Sequence, residues 1–156
     1  ARGGYYAIDS LRLEKGYRAF GRELTPNDTP VEAGLLFACK LSSEHDFLGR
    51  AAVERARSAG PRRRLVGFQV AGAEPMLWGG ELIRRNGAVA GQVTSAAWGA
   101  TVGSCVGLAY VRSPDGDVVS PQWINAGAYT VDVAGDSYPI SVSLRPIYDP
   151  ANARIR

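Results

Sequence analysis

The chain has 156 residues, of which 46% are hydrophobic and 21% are charged, and its formal net charge at pH 7 is +3. This size and composition are typical of one globular domain, or of two small domains that share a core. No apolar run reaches the roughly 18 residues of a membrane-spanning helix, and the opening residues lack the basic-then-apolar pattern of a signal peptide. The sequence therefore predicts an intracellular protein without a membrane anchor.

Cysteine and histidine usage argues against a metal site. The two cysteines, Cys39 and Cys105, lie far apart in apolar runs, where a buried, reduced thiol is the commonest state. The single histidine, His45, cannot build a site alone, and no CxxC or HExxH spacing is present to bring partners to it. We therefore predict no bound metal.

The positive charge comes from 16 arginines and two lysines, and it is densest at residues 62–64, directly before an apolar run. Such a cluster is typical of a solvated strand entrance, and no aromatic residues alternate with it to stack on bases. We therefore predict no nucleic-acid partner. Scattered arginines are better suited to an anionic small molecule, such as one with a carboxylate tail.

The first predicted element is a helix that ends near residue 15. Gly16 stands where a left-handed residue would close the last turn, a conformation that costs glycine least. Helical spacing places Ile8 and Leu11 on one face. Glu14 then lies in the last turn, where a carboxylate meets the negative end of the helix dipole at a cost of roughly a few tenths of a kcal/mol or more. Its position raises the question of what partner it has.

The next elements are shorter and less regular. Residues 17–30 contain glycine, asparagine, aspartate and two prolines, a composition that predicts an irregular connection. The apolar run over residues 31–41 is bounded by turn residues and has the length of a buried strand. A short helix is predicted over residues 49–60, because Gly60 and Pro61 supply its stop.

From residue 64 onward the sequence consists of short alternating or β-branched runs separated by turn pairs. Asn86-Gly87 is the strongest hairpin signal, because this pair can supply both positive-φ positions of a type I′ turn. We predict an α+β fold, with a short mixed helix and strand portion over residues 1–63 and an antiparallel, barrel-like β domain over residues 64–156.

Several motifs, in this order, resemble one known family. DSLRLEKGYRAFGREL, TPVEAGLLFACKL, DFLGR and GQVTSAAWGATVGSCVGLAYV are similar to the C-terminal half of the folate-binding aminomethyltransferase fold. That fold occurs in the glycine-cleavage T-protein and at the C-terminus of sarcosine and dimethylglycine dehydrogenases. LEKGYR, DFLGR and the closing YDPANARIR favour the dehydrogenase branch. The resemblance implies that residues 1–63 are the remainder of a folate-binding domain that begins upstream.

The activity implied by this resemblance is that of a flavin-dependent sarcosine or dimethylglycine dehydrogenase, in which oxidative demethylation of the amine delivers a one-carbon unit to tetrahydrofolate. FAD would bind outside this chain, since the sequence has no GxGxxG fingerprint. In the T-protein the aspartate that orients folate lies in the N-terminal half, so this chain alone is predicted to have no catalytic residues. The implied partners are folate and the missing N-terminal FAD-binding and folate-binding regions, in the cytoplasm or, for a eukaryotic protein, the mitochondrial matrix.

The resemblance also implies a role for Glu14. A carboxylate can accept the parallel donors of the pterin amino group and ring N–H two at a time, so Glu14 would hydrogen-bond the pterin at the floor of the folate cavity. The residues alone favour a different role, that of a surface glutamate paired with Arg12, Lys15 or Arg18.

Two further folate-binding residues are implied. Tyr17 would line the cavity, or else plug the end of the helix, and Lys40 would lie near the folate tail, or else at a solvated strand end. Arg50 of DFLGR could bind an anion, but its place in a turn before a helix favours a role in capping carbonyl groups. The hydroxyls of Thr94 and Ser95 are predicted to bond locally at a strand end.

The residues are also compatible with other functions of the same fold. A fragment of a glycine-cleavage aminomethyltransferase would differ in its partner, a lipoyl carrier protein, and in having no flavin fingerprint upstream. A non-catalytic regulatory protein would keep the fold and lose the chemistry. A related iron–sulfur assembly branch carries a KGC motif where this chain has Lys15, Gly16 and Tyr17, and the absent cysteine argues against that branch.

Overall fold

Two α-helices and a short 3₁₀ turn precede the first strand in the computed structural model, which describes residues 3–72 and 74–154. Helix α1 spans Tyr5–Glu14, the 3₁₀ turn spans Leu36–Ala38, and helix α2 spans Arg50–Ala59. Helix α2 agrees with its prediction and ends, as expected, at Gly60. The outermost residues of both predicted domains, 1–2 and 155–156, lie outside the described residues. No helix in the described ranges is long and apolar enough to cross a membrane.

The C-terminal end of α1 has the predicted geometry. Gly16 adopts a left-handed conformation with φ of 66°. Its N–H donates to the carbonyl oxygen of Leu13 at 3.0 Å, and the N–H of Tyr17 donates to that of Arg12 at 2.8 Å. These two bonds satisfy helix carbonyls that would otherwise have no partner, so the glycine both ends the helix and redirects the chain.

The side of α1 that faces the protein differs from a simple apolar stripe. Ile8 and Leu11 share a face, as their spacing predicts, but this face is exposed, at 58% and 59% respectively. The helix instead buries Leu13 and Glu14. Leu13 packs in a small cluster on the outside of the later sheet, together with Leu65, Val106 and Leu108.

The prediction of a strand over residues 31–41 is wrong. The chain there makes turns with helix-like hydrogen bonds, from Ala33 N–H to Thr29 O and from Leu35 N–H to Pro30 O, and then enters the 3₁₀ turn. Val31 is buried, which explains the apolar composition of the run, but Phe37 is exposed. A strand needs a free sheet edge to pair with, and the closed barrel described next leaves none.

The chain from residue 63 forms a closed barrel of six antiparallel strands, which confirms the predicted α+β fold with a barrel-like second half. Around the barrel the order is β1, β4, β3, β2, β5, β6, and β6 pairs back onto β1. The strands span Arg63–Val70 (β1), Leu82–Arg85 (β2), Ala88–Gly99 (β3), Ser104–Arg112 (β4), Tyr129–Val133 (β5) and Asp136–Ser143 (β6). A short helix that the sequence analysis did not predict, α3 (Pro121–Asn125), is capped by the Ser120 side chain and precedes β5.

The β2–β3 hairpin turns at Asn86-Gly87, as predicted. Both residues have positive φ, 51° and 85°, which is the signature of a type I′ turn. The barrel interior is filled by apolar side chains from every strand, among them Phe68, Ile83, Val93, Val111 and Val131. Because the barrel has its own core, α1 packs on its outer surface, against β3 and β4.

Candidate functional site

Glu14 lies where α1 meets the turn between β3 and β4, and it is only 1% exposed. Its Oε1 atom accepts hydrogen bonds from the backbone N–H groups of Thr101 at 2.7 Å and Val102 at 3.1 Å. Gly99 leaves room for this contact, because a Cβ atom there would lie 3.0 Å from Oε1. The carboxylate therefore fastens the helix end to the barrel turn.

This geometry excludes one of the two roles considered for Glu14 and does not test the other. The surface pairing with Arg12, Lys15 or Arg18 is wrong, because the carboxylate is buried and its hydrogen bonds within the described part of the chain come from backbone amides. The pterin contact stays a prediction. Since Oε1 already accepts two hydrogen bonds, a pterin would have to use Oε2.

The end of α1 also binds residues near the C-terminal end of the chain. The Lys15 side chain is only 5% exposed, and its Nζ atom donates to the Asp149 carbonyl at 2.8 Å and to Asn152 Oδ1 at 2.6 Å. The Glu14 carbonyl accepts a hydrogen bond from the Tyr148 N–H at 2.9 Å. The LEKG and YDPAN motifs, which both supported the resemblance, are therefore in direct contact.

A groove with a volume of about 710 Å³ opens beside this contact, and we call it the Tyr17 groove. Tyr17 and Phe37 present exposed aromatic rings to it. Its aliphatic lining consists of Leu24, Leu35, Leu144, Pro146 and Pro150. An apolar groove of this size with a few polar groups is the usual form of a small-molecule site.

Two arginines supply positive charge to the Tyr17 groove, and their guanidinium groups differ in the hydrogen bonds that they make. The Arg18 guanidinium is held by the carbonyl of Ala33 at 3.1 Å and that of Gly16 at 2.7 Å, and burial lowers its pKa. Arg145 is exposed, and its guanidinium forms no hydrogen bond or ion pair with the residues that the structure describes. Arg145 is therefore available to an anionic ligand.

The three predicted folate-binding residues do not meet in one cavity. Tyr17 lines the groove, and its side chain is 55% exposed, so it does not plug the helix end. Lys40 is exposed in the loop after the 3₁₀ turn and does not line the groove. Glu14 is enclosed at the barrel turn and does not line it either.

Arg50 has the structural role that its position predicts. Its guanidinium donates to the carbonyl oxygens of Leu41 at 2.8 Å, Ser43 at 2.8 Å and His45 at 3.2 Å, and it also pairs with Glu54 at 3.0 Å. These bonds hold the loop before α2 in place, and they leave little of the guanidinium for an anion.

A buried network around Glu23 is the main feature that the sequence did not predict. Glu23 is fully buried, and its Oε2 atom accepts hydrogen bonds from Arg12 Nη1 at 2.7 Å and from the Ala19 N–H at 2.9 Å. Its Oε1 atom accepts one from Ser95 Oγ at 2.5 Å and lies 3.0 Å from Thr94 Oγ1. The predicted local bonding of these two hydroxyls is therefore wrong.

A bulge in β3 explains why both hydroxyls reach the same carboxylate. The pairing of β3 with β4 shifts by one residue between Val93 and Ser95, so Thr94 is the extra residue. The only sequence signal for this network is an acidic residue within an irregular connection, which does not identify partners 71 and 72 residues away. Like Glu14, Glu23 fastens the N-terminal portion to the barrel.

Two family models match the chain. Residues 63–149 match the glycine cleavage T-protein C-terminal barrel domain, and residues 1–43 match the GCVT N-terminal domain. The first match covers more than half of the chain and coincides with the barrel from the start of β1 to Asp149.

Similar proteins come from three functional settings. The chain is 44% identical over 153 residues to mouse mitochondrial sarcosine dehydrogenase, covering 98% of this chain and 16% of that protein. It is 37% identical over 153 residues to the mouse mitochondrial pyruvate dehydrogenase phosphatase regulatory subunit, covering 92% of this chain and 17% of that protein. The crystal structure of the glycine cleavage system aminomethyltransferase T from Bartonella henselae superposes with a TM-score of 0.75 at 28% identity, covering 90% of this chain and 38% of that one.

The chain thus spans about a sixth of the length of the two curated relatives, 16% and 17%. Fold, sequence motifs and family models agree on its assignment. The chain belongs to the glycine cleavage T-protein family, and it contains the family's C-terminal barrel together with part of its N-terminal domain.

Proposed function

We propose that this chain is the tetrahydrofolate-binding C-terminal region of a flavin-dependent sarcosine or dimethylglycine dehydrogenase. The observation that carries the proposal is the 44% identity to sarcosine dehydrogenase across 98% of the chain. In a eukaryote the parent protein would work in the mitochondrial matrix, and otherwise in the cytoplasm. FAD would bind to an upstream region outside this chain.

The Tyr17 groove has the chemistry that a folate requires. A folate has a flat pterin and an aminobenzoyl ring, and the exposed rings of Tyr17 and Phe37 offer surfaces on which such rings stack. It ends in carboxylates, and the available guanidinium of Arg145 can bind one through two parallel hydrogen bonds. We therefore place the folate in this groove with its tail toward Arg145.

The other two predicted residues, Glu14 and Lys40, have smaller roles in this proposal. Glu14 does not line this groove, so a pterin contact through its Oε2 atom is a separate prediction, while Oε1 stays bonded to the barrel turn. Lys40 is three residues after Phe37 and exposed, so it would add positive charge for the folate tail when upstream segments complete the cavity.

This region would contribute to the reaction by positioning the folate. The flavin, when bound in the parent enzyme, supplies the oxidation of the methylated amine. Residues of this chain would hold the folate beside the released one-carbon unit, so that transfer is faster than loss to water. No residue of this chain needs to donate or accept a proton for that role.

The test is a calorimetric titration of tetrahydrofolate into the full-length parent protein and its Arg145→Met variant. Losing a charge-assisted bidentate contact should weaken binding roughly 10- to 100-fold. Arg57→Met is the matched control, because Arg57 lies on α2, is exposed and does not line the groove. Equal affinities in wild type and Arg145→Met would remove the groove from the proposal, and no binding by the wild type would overturn it entirely.

Two alternatives have support of their own. The superposition on the Bartonella henselae aminomethyltransferase supports a glycine-cleavage role, in which a lipoyl carrier protein would be the partner. The 37% identity to a pyruvate dehydrogenase phosphatase regulatory subunit supports a non-catalytic role. The absorbance spectrum of the purified parent separates the dehydrogenase from the aminomethyltransferase, because only the former should carry a flavin band.

A further inference from the structure

A second groove lies on the outer face of the barrel, and the proposed function does not use it. Its volume is about 360 Å³, and it runs across the four neighbouring strands β1, β4, β3 and β2. We call it the Arg112 groove, because Arg112 lines it together with Arg63, Leu82, Val89 and Tyr110. It shares no lining residue with the Tyr17 groove and receives none from α1. It is therefore a separate site.

Two arginines of this groove lie directly opposite each other. Arg63 is the partner of Arg112 in the antiparallel pairing of β1 with β4. Like charges in this arrangement repel each other and destabilise the sheet. Arg63 is compensated, because its Nη2 atom binds Asp28 at 2.5 Å and its Nε atom binds Glu32 at 3.0 Å. Neither carboxylate lines the groove, so the groove itself contains only the positive groups.

Arg112 has no such compensation. Its side chain is exposed, and its guanidinium forms no hydrogen bond or ion pair within residues 3–72 and 74–154. The Nη1 atom of Arg63 is likewise free of partners in these ranges. A guanidinium can bind a carboxylate through two parallel hydrogen bonds, and a second N–H donor nearby adds to that attraction. The charges of the groove thus favour an anion.

The rest of the groove is apolar and open. Leu82 and Val89 are 42% and 44% exposed, so their side chains offer an apolar wall beside the arginines. Gly91 also lines the groove, and a Cβ atom there would collide with the carbonyl oxygen of Tyr110. No side chain can therefore occupy this part of the groove. An apolar wall with a few polar groups is the usual form of a small-molecule site.

We propose that the Arg112 groove binds a small organic carboxylate with an apolar body. The carboxylate lies against the guanidinium of Arg112 and the Nη1 atom of Arg63, and the body covers Leu82 and Val89. The bound negative charge also removes the repulsion between the two arginines. An inorganic anion would use the charges and leave the apolar wall exposed to water, so the groove favours the organic acid. The inference does not depend on folate binding.

Chemical modification of arginine in the full-length parent protein tests this proposal, with hexanoate as the probe. Hexanoate at saturation should slow the reaction of Arg112 with phenylglyoxal several-fold, as measured by mass spectrometry. Acetate lacks the apolar body and hexanamide lacks the charge, so each should protect Arg112 much less at the same concentration. Arg55 is the internal reference, because it is exposed on α2 and does not line the groove.

Three results of this experiment would overturn the proposal. Arg112 that does not react even without hexanoate would show that the groove is covered in the parent. Protection by acetate equal to that by hexanoate would show an adventitious ion only. Equal slowing of Arg55 and Arg112 would show that hexanoate acts on the reagent rather than at the groove.

Equilibrium dialysis of radiolabelled hexanoate against variants of the parent locates the binding. Arg112→Met should weaken binding roughly 10- to 100-fold, because a charge-assisted bidentate contact is lost. Val89→Trp should weaken it by a similar factor, because the indole would fill the groove while both arginines stay. Arg145→Met is the matched control and should bind hexanoate as the wild type does, since Arg145 lines only the Tyr17 groove.

The variants also give outcomes that contradict the proposal. Weaker binding by Arg145→Met with unchanged binding by Arg112→Met would place hexanoate in the Tyr17 groove. Unchanged binding by Val89→Trp would exclude the apolar wall from the site. Melting temperatures check that each variant is folded, and Val89→Trp alone decides if Arg112→Met does not fold.

Discussion

The position of Glu14 is unfavourable for a carboxylate until its partners are considered. It lies buried at the negative end of the dipole of α1, where a charge of the same sign is destabilised. The N–H groups of Thr101 and Val102 offset this cost by donating to its Oε1 atom. The residue thus has a structural role whether or not it also contacts a pterin.

Two substitutions of Glu14 separate these roles. Glutamine keeps an oxygen that can accept both backbone hydrogen bonds, so Glu14→Gln should reduce the free energy of unfolding by only about 1 kcal/mol. Alanine removes the acceptor of both part-buried N–H groups and should cost about 2–4 kcal/mol. If the carboxylate also binds the pterin, Glu14→Gln should weaken tetrahydrofolate binding by roughly 30- to 1000-fold.

Chemical unfolding and calorimetric titration of the parent protein provide the two readouts. Equal folate affinities in wild type and Glu14→Gln, with nearly equal stabilities, would leave Glu14 with its structural role only. An alanine variant as stable as wild type would contradict the structural role itself, since it would mean that the turn amides need no acceptor.

Among the larger elements, the loop over residues 25–34 depends on one arginine at the start of β1. Arg63 binds Asp28 at 2.5 Å and Glu32 at 3.0 Å, and it also stacks over the Tyr110 ring. Burial alone would raise the pKa of both carboxyl groups. Hydrogen bonds from Thr25 and Thr29, together with the hydrogen bonds and positive charge of Arg63, lower both pKa values overall. Burial also raises the pKa of Tyr110 to about 12.

These shifts predict how stability depends on pH. A carboxyl group whose pKa is lowered by folding stabilises the protein above its unfolded pKa, about 4, and this stabilisation is lost as the pH falls through the folded value. Arg63→Met should therefore reduce stability at pH 7 more than at pH 3. Urea unfolding at the two pH values measures the difference, and a deficit that is equal at both would contradict the assignment.

Arg62→Met is the matched control for this comparison. Arg62 neighbours Arg63 in the sequence, but its guanidinium bonds to the carbonyl of Gly116 and to neither carboxylate. The variant should therefore keep the pH dependence of the wild type. If the stability of Arg62→Met depended less on pH than that of the wild type, net charge rather than the specific pairing would be the cause of the pH dependence.

Local signals in the sequence predicted some elements well. Asn86-Gly87 and Gly16 determine their turns through their own backbone preferences, and both turns are as predicted. The run over residues 31–41 was predicted wrongly, because its apolar residues are equally compatible with a strand and with buried turns. Only the closure of the barrel, a property of distant residues, decides between them.

For the molecule as a whole, the sequence predicted the fold class and the family but not the site geometry. Tyr17 could be predicted to line a groove because a motif carries it. Arg145 and Glu23 could not be identified, since their environments depend on partners far along the chain, such as Thr94 and Ser95 for Glu23. Contacts across such sequence distances leave no periodic pattern to detect.

The isolated 156-residue chain is expected to carry no flavin and to show no turnover with sarcosine or dimethylglycine. The physical reason is that the sequence contains no nucleotide-binding fingerprint, and that the flavin would be bound by an upstream region. Absorbance spectroscopy and an amine oxidation assay check both points. A flavin spectrum that copurifies with this chain would contradict the prediction, as would measurable oxidation of either amine.

The contact between Lys15 and the YDPAN motif also has a consequence for synthesis on the ribosome. Helix α1 is made before the barrel, and the partners of Lys15 lie 134 and 137 residues later in the chain. Strand β1 likewise cannot complete its pairing until β6 has been made, so the barrel cannot close earlier. The buried lysine therefore stays hydrated until translation of this region is nearly finished, and the region is expected to fold in a single late step rather than progressively as it emerges.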